Sequence, residues 1–250
     1  MKYHTPCILS MDTATPCSSV AITRGTREDG QVLASLSLSG NVTHSRRLLS
    51  SVEWLLQETG VDWPDIDGVG VSLGPGSFTG LRIGMATAKG LAGAGEKKLI
   101  GISTLDSLAS KCVTDRLICS LLDARKKEVY AAFYRLDANG MVERIGDISV
   151  TTPAALTEYI TEPVLMVGDG ASTYQELFLE MLGDRVFFAP AHLHDPGAAA
   201  LGMLACELYL KNDLLDIGEA VPIYIRSSDA ELNLLKKKEK EAATHQGNPQ

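Results

Sequence analysis

The sequence predicts an α/β protein built of two related lobes with a cleft between them. Short apolar strands alternate with helical segments along the 250 residues, and an apolar fraction of 45 % is ample for a packed core. A strand, an aspartate, a polar turn and a returning strand occur twice, around Asp12 and again around Asp123. Such a repeat indicates two copies of one supersecondary unit.

The first half predicts a three-stranded meander followed by alternating helices and strands. Short apolar runs, or apolar residues alternating with polar ones, predict strands at residues 7–11, 18–22, 32–38, 69–73 and 99–102. Apolar side chains at 3.6-residue spacing predict a helix over residues 44–56. An alanine-rich run predicts a second helix over residues 85–94, and residues 105–109 predict a short third one.

The second half repeats this order of elements. Strands are predicted at residues 117–122, 129–134, 142–150 and 164–167, and helices at residues 154–160 and 198–210. We therefore expect an N-terminal lobe over residues 1–110 and a C-terminal lobe over residues 111–228. Residues 229–250, rich in lysine and glutamate, are expected to form a charged, disordered tail.

Charge and cysteine usage exclude several classes of protein. Lysine and arginine number 23 against 31 aspartates and glutamates, and the net charge of −8 makes the chain a poor unaided binder of nucleic acid. Five scattered cysteines without a C-x-x-C pair fit reduced thiols. With neither a signal peptide nor a run of about 18 apolar residues, we expect a cytoplasmic protein that does not enter membranes.

The most specific motif is the glycine-rich stretch from Gly74 to Gly84. Gly74 and Gly76 allow main-chain N–H groups to converge where a helix begins, with Ser77 as its N-cap, and such a terminus attracts anions. The spacing is one residue too long for a dinucleotide-binding fingerprint, and no phosphate-binding P-loop motif occurs. The alternative is that these glycines only permit close packing against a neighbour.

Asp12 and Asp123 each end an apolar strand and precede a hairpin. A two-lobed nucleotide-binding fold holds magnesium or orients a water at such positions. However, a turn that grips phosphate needs glycine, and neither Thr13 to Pro16 nor Ala124 to Lys127 contains one. The alternative is that both aspartates cap a turn.

Other catalytic arrangements lack their residues. The five histidines show no H-x-x-x-H spacing, and His192 and His194 are interpreted as a surface pair without a third ligand, so no metal site is predicted. No G-x-S-x-G motif is present. We assign no catalytic residue. The amphipathic helix beginning at His44 and the small-residue helix after Gly84 could instead contact another protein.

Four stretches, in order along residues 7–135, resemble the bacterial TsaB (YeaZ) family. They are Ile8 to Thr15, His44 to Leu49, Gly74 to Ala92 and Asp123 to Tyr130. Weaker matches at Val167 to Ala171 and Pro222 to Arg226 resemble the second lobe of that family. The resemblance implies an actin-like (ASKHA, ribonuclease H-like) duplicated fold.

The resemblance also implies a function as a non-catalytic subunit. The family pairs with TsaD, the catalytic subunit that forms N6-threonylcarbamoyladenosine at position 37 of tRNAs reading ANN codons. The ATPase TsaE binds the heterodimer, and TsaC supplies the threonylcarbamoyl-adenylate. ATP and metal are thus expected on the partner subunits, tRNA contact is expected to be indirect, and the isolated chain could form a homodimer.

Family motifs suggest two sets of residues. The partner interface is expected on the first lobe, at Arg46, Leu49, Arg82, Ile83 and Met85. A nucleotide or anion would meet Asp12, Thr13, Gly74, Gly76 or Ser77. Two other functions stay open: a small-molecule kinase or ATPase of the same fold, suggested by the aspartate pair, and a metallopeptidase, suggested only by family ancestry.

Overall fold

A computed structural model describes residues 4–40 and 44–225, without the side chains of residues 44–46. The predicted tail lies outside the described residues. The first half contains β1 (Cys7–Asp12), β2 (Ser18–Arg24), β3 (Gln31–Leu38), α1 (His44–Thr59), β4 (Gly68–Gly74), α2 (Phe78–Ala94), β5 (Lys98–Ser103) and α3 (Thr104–Ala109). The second half contains β6 (Leu117–Arg125), β7 (Glu128–Leu136), β8 (Val142–Thr151), α4 (Pro153–Thr157), β9 (Val164–Val167), α5 (Asp169–Thr173), α6 (Gln175–Leu182), β10 (Val186–Phe188) and α7 (Ala198–Leu210).

Each half builds one five-stranded mixed sheet. The first has the order β3-β2-β1-β4-β5 and the second the order β10-β9-β6-β7-β8. In each sheet, the first three strands of that half of the chain pair antiparallel with one another in chain order. The last two strands lie on the other side of the first strand and run parallel to it. The same connectivity in both sheets confirms the predicted two-lobed, duplicated α/β fold.

Both faces of the first sheet are covered by helices. Helices α1 and α2 pack on one face, where Leu48, Leu55 and Ala88 join the strand residues Leu9 and Val69 in one core. Helix α7 packs on the other face, where Leu201, Ala205 and Cys206 cover strand isoleucines. These isoleucines are Ile8, Ile100 and Ile102.

The two halves exchange their last helices. Helix α7 follows the second sheet in the chain but covers the first one. Helix α3 follows the first sheet, and its Leu105 and Leu108 pack against Ile118 and Tyr134 of the second sheet. Neither sheet is therefore covered entirely by its own half of the chain.

Polar contacts tie the lobes together beside this exchange. The guanidinium of Arg27, in the turn after β2, donates to both carboxylate oxygens of Glu207 on α7, at 2.7 and 2.9 Å. Its Nη1 also donates to the carbonyl oxygen of Val142, the first residue of β8, at 3.1 Å. Between the lobes, the Tyr134 hydroxyl lies 2.8 Å from Asp106. One arginine thus connects the first sheet, the exchanged helix and the second sheet.

Candidate functional site

The glycines after β4 serve close packing. A Cβ added at Gly80 would lie 2.0 Å from the carbonyl oxygen of Thr13, and one at Gly76 would lie 2.5 Å from that of Ala14. A Cβ at Gly84 would lie 2.4 Å from the Thr13 hydroxyl oxygen. Real Cβ atoms do not approach so closely, so only glycine fits at these positions. The loop and the start of α2 therefore lie directly on the turn that follows Asp12.

Hydrogen bonds close this contact. The Thr13 hydroxyl donates to the carbonyl of Gly80 at 2.7 Å, and the N–H of Ser77 donates to the carbonyl of Ala14 at 2.7 Å. Ser77 is the N-cap of α2 as predicted, since its hydroxyl accepts from the N–H of Gly80 at 3.2 Å. Two of the N–H groups at this terminus are thus already bonded within the protein. The geometry favours the packing interpretation of these glycines over anion binding.

Asp12 is buried and turned away from solvent. Only 1 % of the residue is exposed, and its Oδ1 accepts the N–H of Ala14 at 2.9 Å. Loss of solvation raises the pKa of this carboxyl to about 6, against the opposing effects of the Ala14 N–H and the nearby Ser72 hydroxyl. The carboxyl therefore caps its own turn.

Asp123 makes the same local contact at the equivalent place in the second sheet. Its Oδ1 accepts the N–H of Arg125, two residues on, at 2.9 Å. Its own N–H donates to Asp169 at 2.9 Å. Burial, reinforced by the charge of Asp123, raises the pKa of Asp169. Both members of the predicted aspartate pair thus cap turns, as the alternative reading proposes.

A cleft of about 410 Å³ separates the two lobes above these turns. The first lobe contributes uncharged residues, including Gly76, Ser77 and Phe78, whereas Asp123 and Asp169 line the opposite wall together with Arg125. The other predicted nucleotide-site residues are absent from this lining: Asp12 and Thr13 are buried, and Gly74 faces the carbonyl of Ile223. The two aspartates do not face one common space.

The predicted partner residues lie on the α1 and α2 layer of the first lobe. Leu49 is 57 % exposed, Arg82 is exposed and Ile83 is half-buried. Met85 is only 4 % exposed and belongs to the core, because it lies on the same buried face of α2 as Leu81 and Ala88. The side chain of Arg46 lies outside the described residues. The surface set is therefore Leu49, Arg82 and Ile83, joined by exposed Trp54 on α1.

Sequence reasoning missed the role of residues 218–225, here called the C-terminal segment. It runs along α2, where the Lys89 ammonium donates to the carbonyls of Gly218 and Ala220, each at 3.1 Å. The N–H of Ile223 donates to the carbonyl of Leu73 at 2.8 Å. The segment follows the second lobe in the chain but packs on the first lobe. A short apolar run carries no signal about which lobe it joins.

His194 is also more than a surface residue. Its Nδ1 accepts the N–H of Gly168 at 3.1 Å, and partial burial lowers the pKa of its ring. Among the described residues, no group of three or more histidine, cysteine, aspartate or glutamate side chains could hold a metal ion. Across the same residues, no helix combines the length and apolar character needed to cross a membrane.

The chain is similar to proteins of one bacterial pathway. Residues 39–234 match the family model of TsaD, tRNA N6-adenosine threonylcarbamoyltransferase. The tRNA threonylcarbamoyladenosine biosynthesis protein TsaB of Escherichia coli is 33 % identical over 89 % of this chain and 96 % of its own length. TsaB of Bacillus subtilis is 30 % identical over 90 % and 96 %, respectively.

A solved structure shares the architecture. YeaZ from Pseudomonas aeruginosa superposes with a TM-score of 0.72 at 27 % identity, covering 88 % of this chain and all of that one. Together with the two mixed sheets, this likeness assigns the actin-like, two-lobed α/β fold.

Proposed function

Because the chain belongs to the TsaB (YeaZ) family and acts in tRNA threonylcarbamoyladenosine biosynthesis, we propose that it is a non-catalytic subunit that pairs with TsaD. In this proposal TsaD carries the transfer chemistry and the metal, TsaE binds the pair as its ATPase, and TsaC supplies the activated threonylcarbamoyl group. The chain's own role is to hold TsaD in an active conformation.

The packing of α2 and its preceding loop on the turn after Asp12 supports the non-catalytic part of the proposal. A nucleotide phosphate held between two lobes needs main-chain N–H groups or a metal-binding carboxylate on both walls. Here Gly76 and Gly80 press on the Thr13 turn, and Asp12 is buried beneath it. Among the described residues, those that line the first wall of the cleft therefore include no carboxylate.

The same observation argues against the kinase or ATPase alternative. That function requires Asp12 and Asp123 to approach one nucleotide, whereas only Asp123 lines the cleft. Magnesium-dependent ATP turnover by the purified chain, abolished by Asp123→Asn, would restore this alternative.

The exposed first-lobe layer supports the pairing. Leu49 and Trp54 present apolar surface on α1 beside α2, as helices do at protein interfaces. TsaD is related to this chain over residues 39–234, and two proteins of one fold can pair through matching faces as two copies do in a symmetric dimer. We therefore also propose that the isolated chain forms a homodimer through this layer.

The proposal is tested by reconstitution. TsaC, TsaD and TsaE are incubated with tRNA, threonine, bicarbonate and ATP, and threonylcarbamoyladenosine is measured by nucleoside mass spectrometry. We expect modification only when this chain is added, and none with this chain alone. Leu49→Glu is expected to reduce it at least tenfold by placing an unpaired charge in the interface. Tyr159→Glu, at an exposed second-lobe residue, is the matched control.

Two results would contradict the proposal. Modification that proceeds equally well without this chain would remove its role as a required subunit. Transfer to tRNA by the chain alone would remove its non-catalytic assignment.

A further inference from the structure

A groove of about 300 Å³ runs between α2 and the C-terminal segment. Two cationic side chains, Arg82 and Lys89, stand along it, two helical turns or about 10 Å apart. Apolar side chains, including Val221 and Pro222, form the rest of its walls, and none of the described residues that line it is acidic. The groove thus combines positive charge with apolar surface.

Exposed apolar residues extend this surface beyond the groove. Val221 is 67 % exposed and Ile223 is 56 % exposed, although the segment that carries them is fixed by main-chain hydrogen bonds to β4 and Lys89. Such residues on an ordered segment are typical of surfaces that another protein covers.

Arg82 is held in one orientation. Its guanidinium carbon lies 3.8 Å from the centre of the Phe78 ring and 5.7 Å from that of Tyr224. Its Nε donates to the Tyr224 hydroxyl at 2.9 Å, and the two rings contact each other with centroids 5.0 Å apart. Stacking and this hydrogen bond fix a side chain that would otherwise lose much rotamer freedom on binding.

No described residue is hydrogen-bonded to the outer edge of the guanidinium. Among the described residues, neither terminal nitrogen of Arg82 makes a hydrogen bond. A planar fork with both outer N–H groups presented in this way matches the two oxygens of a carboxylate. Lys89, by contrast, already uses two donors on the C-terminal segment.

We propose that this groove receives an aspartate or glutamate side chain of the protein partner, bound by the outer edge of Arg82 with apolar partner residues packed on Val221 and Ile223. This inference rests on the proposed pairing with TsaD and names the chemistry that the partner must present. The apolar rim favours a carboxylate on a protein surface over a hydrated tRNA phosphate, and the chain's net charge of −8 disfavours nucleic acid further.

Binding of the full-length chain to TsaD provides the test, measured by isothermal titration calorimetry at two salt concentrations. Arg82→Gln removes the charge and is expected to weaken binding about 30-fold, the loss expected when a desolvated charge pair loses one partner. Arg82→Lys keeps the charge but lacks the planar guanidinium with its two outer N–H groups, and we expect the affinity for TsaD to fall about 10-fold. Tyr224→Phe keeps the ring and removes the acceptor of Nε, with about a threefold loss expected.

Arg116→Lys is the matched control. Arg116 also stacks on an aromatic ring, with its guanidinium carbon 4.0 Å from the Phe187 centroid, but on the second lobe. Its replacement is expected to leave the affinity for TsaD unchanged. Thermal melts of each variant show that the fold is retained.

The outcomes separate this inference from the proposed function. If the unmodified chain does not bind TsaD, the proposed pairing fails and this inference fails with it. If it binds and the Arg82 variants bind equally well, only the carboxylate assignment is overturned. If those variants keep their affinity for TsaD but lose affinity for tRNA, Arg82 recognises a phosphate and the inference is wrong.

Discussion

Asp12 keeps a carboxyl group at a place where it costs stability. Its ionised form is buried beneath the Gly76–Gly84 packing, and its pKa is raised to about 6 from an ordinary 3.8. A group with a raised native pKa stabilises the fold when protonated, and this contribution is lost as the pH rises from about 4 through 6. The residue thus destabilises the protein at neutral pH.

Replacing this carboxyl is expected to stabilise the protein. Asp12→Asn should increase the free energy of unfolding at pH 7.5 by up to about 3 kcal/mol, with the gain vanishing below about pH 4. Urea denaturation across this pH range measures it. Asp115→Asn, at an exposed position, controls for the loss of one negative charge. A gain that is equal at pH 4 and pH 7.5 would contradict the assigned pKa.

The candidate site was only partly predictable at this scale. The positions of Asp12 and Asp123 follow from strands that run into a polar turn. The turn after Asp12 lies where it is predicted, whereas the second turn is confined to residues 126–127 because β6 continues to Arg125. That Asp12 is covered could not be predicted, because the cover comes from Gly76 and Gly80, more than 60 residues later in the chain. The spacing of those glycines favoured close packing over anion binding, but it did not show which turn they pack against.

At the scale of an element, α2 contains glycines with opposite roles. Gly80 faces the carbonyl of Thr13, whereas nothing lies within 4 Å of a Cβ added at Gly90. Gly80→Ala is expected to lower the free energy of unfolding by about 3 kcal/mol through overpacking. Gly90→Ala is expected to raise it by about 0.5–1 kcal/mol, since alanine favours helix. Denaturant titration of both variants compares them within one helix.

Similar losses for both alanine variants would mean that Gly80 is not in close contact with the Thr13 turn. The evidence that α2 covers the turn after Asp12 on the first-lobe side of the cleft would then be lost.

Elements with a clear local pattern were predicted well. The strand Val164–Val167 and the helix Ala198–Leu210 have the predicted bounds. The short elements Asp169–Thr173, Gln175–Leu182 and Val186–Phe188 were missed, because none is long enough to show a period. Helix α7 is apolar around nearly its whole circumference, so its pattern could not indicate which sheet it covers.

At the scale of the whole molecule, the exchange of α3 and α7 makes the lobes interdependent. A fragment of residues 1–110 would expose Ile8, Ile100 and Ile102, which α7 covers in the intact chain. We expect this fragment to lack a cooperative thermal transition by circular dichroism. Mixing it with a fragment of residues 111–250 is expected to restore one. Cooperative unfolding of the first fragment alone would contradict the interdependence.

Because α7 covers the first sheet but is synthesised near the end of the chain, one face of that sheet stays uncovered during translation. The first sheet is complete at Ser103, but α7 begins only at Ala198. At about 5–20 residues per second, a ribosome needs roughly 5–20 seconds to produce the chain between them. During that interval the isoleucine face of the nascent sheet is open to other apolar surfaces in the cell. A holdase chaperone that recognises such a face would protect the nascent chain until α7 emerges.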